Sequence, residues 1–132
     1  MELLVVIIVI AVLTAIAVPK FAQAGVRSKE DALKDCLKTY RNAVQQFVDD
    51  TGTLPANLAA LSATTAPANG MNATGGSKAI VASDWSGPYI VAGMNDPVSG
   101  NPLSYGVTSP NVGKITSSAT GTALDGTAYS AW

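Results

Sequence analysis

The chain has no histidine, a single cysteine and few charges. Of its 132 residues, 13% are charged, about half the usual share. Without histidine it lacks the commonest general base and the commonest transition-metal ligand, and one cysteine, Cys36, excludes an internal disulfide and a thiolate zinc cluster. The net charge of −1 gives no reason to expect nucleic acid as a partner. The composition therefore argues against an enzyme and predicts no catalytic, metal or cofactor site.

The charges that are present lie unevenly along the chain. Residues 20–50 carry eleven of the seventeen charges, whereas residues 51–132 carry five, together with eleven glycines and twenty Ser or Thr. Residues 3–18 carry no charge, and their only hydroxyl belongs to Thr14. The composition divides the chain into an apolar head (residues 1–19), a charged middle (20–51) and a neutral body (52–132).

The apolar head consists of the run Leu3–Val18, with one carboxylate, Glu2, before it and Pro19 after it. As a helix this run would span about 24 Å, against roughly 30 Å of hydrocarbon in a bilayer. Four interpretations compete: a secretory signal peptide, a buried core helix, a simple membrane anchor, and a bundle formed by the heads of many copies.

Three of these interpretations fit the residues poorly. A signal peptide should begin with basic residues, and none precedes this run. A helix that is apolar on every side finds too little protein to cover it at the end of a small domain. A simple anchor leaves Glu2 unexplained. In a bundle, by contrast, a buried carboxylate needs a positive partner, and the N-terminal ammonium of a neighbouring chain is the natural candidate.

The segment ELLVVIIVIAVLTAIAVPKF resembles the N-terminal segment of type IV pilins and of the related type II secretion pseudopilins. In that family a glutamate precedes a long apolar stretch that ends near a proline, and Glu2 and Pro19 fall on these two positions. The resemblance implies that the glutamate neutralises the N-methylated amino terminus of a neighbouring subunit during assembly. More residues precede the glutamate in the family than Met1 alone, so we expect the mature terminus to lie a few residues earlier, after a leader removed by a prepilin peptidase. Many pilins have a glycine midway through the run; here Ala11 stands there, which leaves Pro19 as the expected cause of any bend.

The charged middle predicts an amphipathic helix that continues the apolar one. Its apolar residues recur at three- and four-residue spacing and form one stripe: Leu33, Cys36, Leu37, Tyr40, Val44, Phe47 and Val48. Cys36 lies on this stripe and is predicted to be a buried small hydrophobe. Charges at helical spacing, such as Glu30 with Lys34, are interpreted as pairs on a mostly solvated face, some of them contacting neighbouring subunits. Gly52, with Pro55 soon after, fits the end of the helix.

The body predicts turns and short strands. The runs KAIVA, PYIVA, LSYGVT, GKITSS and TAYSAW indicate an antiparallel sheet of about four strands, whereas residues 53–77 read as a long loop that begins with a short helical turn at PANLAAL. The segment WSGPYIVAGMNDPVSGNPLSYGV resembles the body of many pilins and of the major pseudopilins. The pseudopilins continue into an acidic calcium-binding loop, but the last 27 residues here hold one acid, Asp125. Asp84, Asp96 and Asp125 are interpreted as turn and capping residues, and Asn72-Ala73-Thr74 matches an N-glycosylation acceptor.

Together these features predict an α+β fold: a long N-terminal helix, apolar in its first half and kinked near Pro19, packed on a small antiparallel β-sheet as in pilins. The resemblance implies a structural subunit of a type IV pilus-like extracellular filament that serves adhesion, motility or DNA uptake. Leu3–Val18 would form the filament core, Glu2 would pair with a neighbouring N-terminus, and Pro19 would let the helix bend.

The implied filament is a helical homo-oligomer. Its subunit would lie in the inner membrane before assembly and afterwards in the filament on the bacterial surface, with the prepilin peptidase and the pilus assembly machinery as partners. The alternatives are a major pseudopilin acting in type II secretion, a minor pilin or DNA-uptake component, and an anchored enzyme or binding domain.

Overall fold

The computed structural model describes residues 1–91 and 93–132. A single α-helix, α1 (Glu2–Thr51), contains both the apolar head and the amphipathic middle of the chain. Pro19 lies inside α1, which continues past it without interruption. Proline has no N–H group to donate to the carbonyl four residues earlier, so one helical hydrogen bond is missing at this point. The bend expected at Pro19 stays a prediction.

α1 ends where the sequence predicts. Gly52 adopts the left-handed conformation, with φ 64° and ψ 19°, and its N–H donates to the carbonyl of Val48 over 2.8 Å. Glycine suits this position because it has no Cβ to clash in the left-handed region. The Nζ of Lys78 donates to the Gly52 carbonyl over 2.9 Å, which places a cation at the negative end of the helix dipole.

The body contains two small antiparallel sheets within the described residues. β1 (Asn69–Met71) pairs with β2 (Ser77–Ala79), and β3 (Ser104–Tyr105) pairs with β4 (Ile115–Thr116). Short 3₁₀ turns occupy Leu58–Ser62, Ala82–Asp84 and Tyr129–Ala131. The α+β fold is confirmed, and its strands form two separate pairs instead of one sheet of about four.

Several predicted strands take other conformations. In the run PYIVA, the N–H groups of Tyr89 and Ile90 both donate to the carbonyl of Leu61, so this backbone bonds to a 3₁₀ turn; Ala92, its last residue, lies outside the described residues. In TAYSAW, residues 129–131 form a 3₁₀ turn. Conversely, β1 lies inside the predicted loop 53–77, and the short turn predicted at PANLAAL is present as Leu58–Ser62.

The core lies between the second half of α1 and the body. The predicted stripe is confirmed: its buried members are Leu33, Cys36, Leu37, Tyr40, Val44 and Phe47, with Ala43 between them. From the body, Leu61, Ile90, Leu103, Ile115 and Tyr129 complete the same cluster. Cys36 is 3% exposed, and burial, with smaller contributions from Asp96 and Asp35, raises the pKa of its thiol. A thiol in this state is a weak nucleophile, which agrees with a packing role.

Candidate assembly surface

The first half of α1 projects from the body. Glu30 is the first buried residue of α1, so the range Glu2–Lys29, here called the projecting segment, has no buried residue. At 1.5 Å per residue its length is about 42 Å. The body therefore contacts only the later part of the helix.

The projecting segment exposes large apolar side chains on all its sides. Thirteen of them lie between Leu3 and Phe21, and each is between 51% and 76% exposed. The best window of 18 residues has a mean hydropathy of 2.8, and none of it is buried. Soluble monomers rarely expose continuous apolar surface of this extent. By length and composition, α1 is able to cross a membrane.

Glu2 lies in the first turn of α1, at the far end of the projecting segment. Unpaired N–H groups and the helix dipole make this end positive, which favours a carboxylate there. The nearest cationic side chain along the helix is Lys20, eighteen residues away, which corresponds to about 27 Å. No lysine or arginine side chain of the same helix can therefore reach the Glu2 carboxylate.

Thr14 does not make a second polar site in the apolar run. Its Oγ1 donates to the carbonyl of Ile10 over 2.7 Å, so the hydroxyl is satisfied inside the helix. Glu2 is consequently the one side chain among residues 1–19 that needs a polar partner from outside its own helix when this surface is covered.

Charges of opposite sign lie at the two ends of the part of α1 that follows the apolar run. Lys20, Arg27 and Lys29 are the charged residues from 20 to 29, whereas Asp49 and Asp50 stand in the last turn of α1. Two carboxylates at a helix C-terminus oppose the helix dipole. Within the chain, the Lys78 ammonium at the Gly52 carbonyl offsets part of this cost. The Tyr89 hydroxyl, which donates to Asp50 over 2.8 Å, offsets another part, and a further cation from another molecule would offset more.

A buried carboxylate fixes the point where α1 leaves the body. Glu30 is 6% exposed, and its Oε1 accepts hydrogen bonds from the Leu124 N–H over 2.8 Å and from the Tyr129 hydroxyl over 2.9 Å. The interpretation of Glu30 as a surface partner of Lys34 is therefore wrong. The Lys34 Nζ instead lies 4.5 Å from the centre of the Trp132 ring. Position 30 is three residues before Leu33 on the buried stripe, and this spacing was the sequence signal for its burial.

A second buried carboxylate, Asp96, organises the middle of the body. It is fully buried: its Oδ1 accepts from the N–H groups of Val98 (2.7 Å) and Ser99 (3.1 Å), and its Oδ2 from the Ser117 hydroxyl and the Ser118 N–H (3.1 Å). Burial alone would raise the pKa of Asp96, but these four hydrogen bonds together hold it below its ordinary value. Asp96 has the turn role expected from the sequence, since it accepts hydrogen bonds from residues 98 and 99. Its contact with residues 117–118 is not predicted by the sequence.

The other two acids singled out in the body make local contacts. Asp84 accepts a hydrogen bond from the Ser83 hydroxyl over 3.2 Å, and Asp125 accepts from the N–H (2.9 Å) and the hydroxyl (2.6 Å) of Thr127. In residues 1–91 and 93–132, no three His, Cys, Asp or Glu side chains lie close enough together to hold a metal ion.

Comparisons of the chain with protein-family models, with curated proteins and with solved structures find no match. The basis for a function is therefore the geometry of the projecting segment and of the body that it carries.

Proposed function

We propose that this chain is a structural subunit of a type IV pilus-like extracellular filament. The observation that carries the proposal is the projecting segment, an exposed apolar helix with one carboxylate at its far end. The body covers only the other half of α1. The resemblance of residues 2–21 to the pilin N-terminus supports the same function.

Before assembly, the apolar run would lie in the inner membrane. Its twelve exposed large apolar side chains fit hydrocarbon, and Lys20 directly follows Pro19 at the edge of the run, where a lysine can extend its ammonium group towards water. The body would then lie outside the hydrocarbon, joined to the membrane by the rest of the projecting segment.

In the filament, the projecting segments of many copies would pack together into an apolar core. A carboxylate moved into such a core must be paired with a cation or become protonated, and leaving one member of a buried pair alone costs several kcal/mol. Pairing of Glu2 with the amino terminus of a neighbour would satisfy both charges at only one axial height. Glu2 would thus set the register of each new subunit.

The contacts between copies would be of the head-to-tail type. Such contacts join two different surfaces of identical subunits, and when the rotation does not close they generate a helical polymer. The cationic stretch Lys20–Lys29 and the acidic pair Asp49 and Asp50 supply complementary charges for this arrangement. Pro19 would let the helix bend at the boundary between core and outer shell.

A second candidate is a major pseudopilin that acts in type II secretion. The segment Trp85–Tyr105 fits it as well as it fits a pilin, because the order of Trp, Gly-Pro-Tyr, Asp-Pro and Asn-Pro is shared by many pilins and the major pseudopilins. The single acid among the last 27 residues, Asp125, argues against the acidic calcium-binding loop of the pseudopilins. Both candidates use the same apolar helix and differ in whether surface filaments form.

The test is to shear the cells that make the protein, image the released material by cryo-electron microscopy and identify its proteins by mass spectrometry. Long filaments built mainly of this chain are expected. A protein that stays in the membrane fraction beside secretion components, without filaments, would overturn the pilus proposal in favour of the pseudopilin. Filaments in which this chain is scarce would make it a minor pilin.

Charge variants sharpen the test. Glu2→Gln keeps the size of the side chain and removes its charge, Glu2→Asp keeps the charge, and Asp84→Asn removes an exposed charge from the body as a matched control. We expect Glu2→Gln to insert into the membrane but to reduce filament yield about 100-fold or more, since it leaves a neighbouring ammonium unpaired. Normal yield from Glu2→Gln would remove Glu2 from the mechanism.

A further inference from the structure

Asn72 is the one asparagine in the chain that is followed by any residue and then by serine or threonine. The other asparagines, Asn42, Asn57, Asn69, Asn95, Asn101 and Asn111, lack a hydroxyl residue two positions later. A sequence match of this kind is short and arises often by chance, so its meaning depends on where it lies and how it is folded.

The acceptor sequence Asn72-Ala73-Thr74 forms the tip of the hairpin that connects β1 to β2. All three of its residues are exposed. The N–H of Asn72 donates to the carbonyl of Gly76 over 2.8 Å, and the N–H of Gly75 donates to the carbonyl of Asn72 over 3.0 Å. The hairpin therefore presents these side chains at the surface of the body on an ordered turn.

The side chain of Asn72 is held through its oxygen. Oδ1 accepts three hydrogen bonds, from the Thr74 N–H (3.0 Å), from the Thr74 hydroxyl (2.7 Å) and from the Gly76 N–H (2.8 Å). The side-chain nitrogen, Nδ2, is the donor in none of the hydrogen bonds found in the described part of the chain. Replacing one of its hydrogens would therefore break no hydrogen bond of this hairpin.

The same contacts favour chemistry at Nδ2. An amide nitrogen is a poor nucleophile because its lone pair is delocalised into the carbonyl, and it becomes more reactive when a base removes a proton and the resulting negative charge is shared with the oxygen. Donors aimed at that oxygen stabilise the charge, since hydrogen bonding to a charged form favours it. The Thr74 hydroxyl supplies one of these donors, which gives a physical reason for the hydroxyl residue two positions after the asparagine.

We propose that Asn72 is the acceptor of an N-linked glycan donated by a lipid-linked sugar diphosphate. In the transfer, Nδ2 forms a bond to the anomeric carbon of the sugar, and the bond between that carbon and the phosphate oxygen breaks. The proton of Nδ2 goes to a base of the transferring enzyme, and the lipid diphosphate leaves. This inference rests on the proposed function in one respect, because the body must lie outside the cytoplasm to meet the donor.

The test is mass spectrometry of the protein isolated from the cells that make it. Trypsin releases Asn72 in the peptide that runs from residue 42 to Lys78, since no lysine or arginine lies between Arg41 and Lys78. We expect this peptide to carry the added mass of a glycan, with fragment ions that place it on Asn72. An unmodified peptide would overturn the inference.

Three variants made in the same cells separate glycan transfer from folding of the hairpin. Asn72→Asp keeps the Oδ1 acceptor and removes the amide nitrogen, so it should fold normally and carry no glycan. Thr74→Ala should lose at least about tenfold in occupancy, whereas Thr74→Ser, which keeps the hydroxyl, should retain the glycan. A glycan that persists in Asn72→Asp would be attached to a hydroxyl, and equal occupancy in Thr74→Ala would show that Thr74 plays no part; either result overturns the inference.

The outcome is independent of filament formation. Filaments built from an unmodified chain would refute the proposed glycan and support the pilus proposal. A glycan on Asn72 of a chain that forms no filaments would support the proposed glycan and refute the pilus proposal.

Discussion

Asp96→Asn should destabilise the body by removing one acceptor from a fully buried site. In the native chain the two carboxylate oxygens accept four hydrogen bonds, two each. Asparagine keeps Oδ1 for the Val98 and Ser99 N–H groups but turns an NH₂ donor towards the Ser118 N–H. The Ser117 hydroxyl can rotate and accept, whereas the Ser118 N–H is left facing another donor.

The expected loss is about 2–4 kcal/mol in the free energy of unfolding. A hydrogen bond to a charged group contributes about 1.5–3 kcal/mol, and a buried donor left without an acceptor costs about 1–3 kcal/mol, two figures that partly overlap. Asp84→Asn is the matched control, because Asp84 is exposed; its effect should stay within about 0.5 kcal/mol.

The assay is urea denaturation of the full chain in detergent micelles, followed by tryptophan fluorescence. Both tryptophans, Trp85 and Trp132, lie in the body, so the signal reports the body and not the apolar helix. A loss below about 0.5 kcal/mol for Asp96→Asn at pH 7 would refute the account of Asp96 as the organiser of this region.

The pH dependence gives a second, independent check. Because the pKa of Asp96 is lower in the folded than in the unfolded chain, its ionisation stabilises the fold above the unfolded value near 3.8, and this contribution is lost as the pH falls through the lower folded value. The difference in stability between the native chain and Asp96→Asn should therefore shrink below about pH 3.8. An equal difference at pH 3 and pH 7 would contradict the hydrogen-bond account.

Three further substitutions test other parts of the fold in the same denaturation assay. Phe47→Ala should cost about 3–5 kcal/mol, because Phe47 is completely buried against the body and leaves a cavity; a cost below about 1 kcal/mol would contradict its central place in the core. Gly52→Ala should cost about 1–2 kcal/mol, since φ is 64° at this position, and Gly52→Asn should cost less; equal costs would argue against backbone strain as the cause. Glu30→Ala should cost about 2–4 kcal/mol by leaving the Leu124 N–H and the Tyr129 hydroxyl without their acceptor, whereas Glu30→Gln, which keeps Oε1, should cost less.

The helical half of the fold was predictable because its signals are local and repeated. The stripe from Leu33 to Phe47 recurs over four turns, and Gly52 marks the end of the helix by its own conformational freedom. The burial of Glu30 agrees with the same spacing, yet its charge favoured the surface interpretation. A buried carboxylate needs hydrogen-bond donors, and the donors to Glu30 come from Leu124 and Tyr129, more than ninety residues away in sequence. The sequence around Glu30 alone therefore could not predict its burial.

The body was less predictable because its backbone is organised by contacts between distant loops. β3 and β4 have two residues each, which is too short for an alternating pattern to be read. The run around Tyr89 has strand composition, but its N–H groups bond to Leu61 in a 3₁₀ turn. Likewise, no periodicity connects Asp96 with Ser117, twenty-one positions later.

The residues of the candidate site, Glu2, the run Leu3–Val18 and Pro19, were predictable from the sequence. The structure adds the boundary at Glu30, where the body begins to cover α1. The roles assigned to these residues depend on other copies of the chain. They stay predictions until filaments are examined.

The bare projecting segment has a consequence for how such a filament would grow. A subunit that moves from the lipid into the filament core passes from one apolar environment to another. Little apolar surface is therefore withdrawn from water in that step, and the hydrophobic effect, the usual driving force of protein association, is nearly absent. The preference for the filament would then come from close side-chain packing, from one pair of opposite charges at Glu2, and from contacts between the bodies. Because these contributions are modest, a subunit would have nearly the same free energy in the bilayer as in the filament. The bilayer would then act as a store of subunits, and little work would be needed to move a subunit into the filament or back into the membrane.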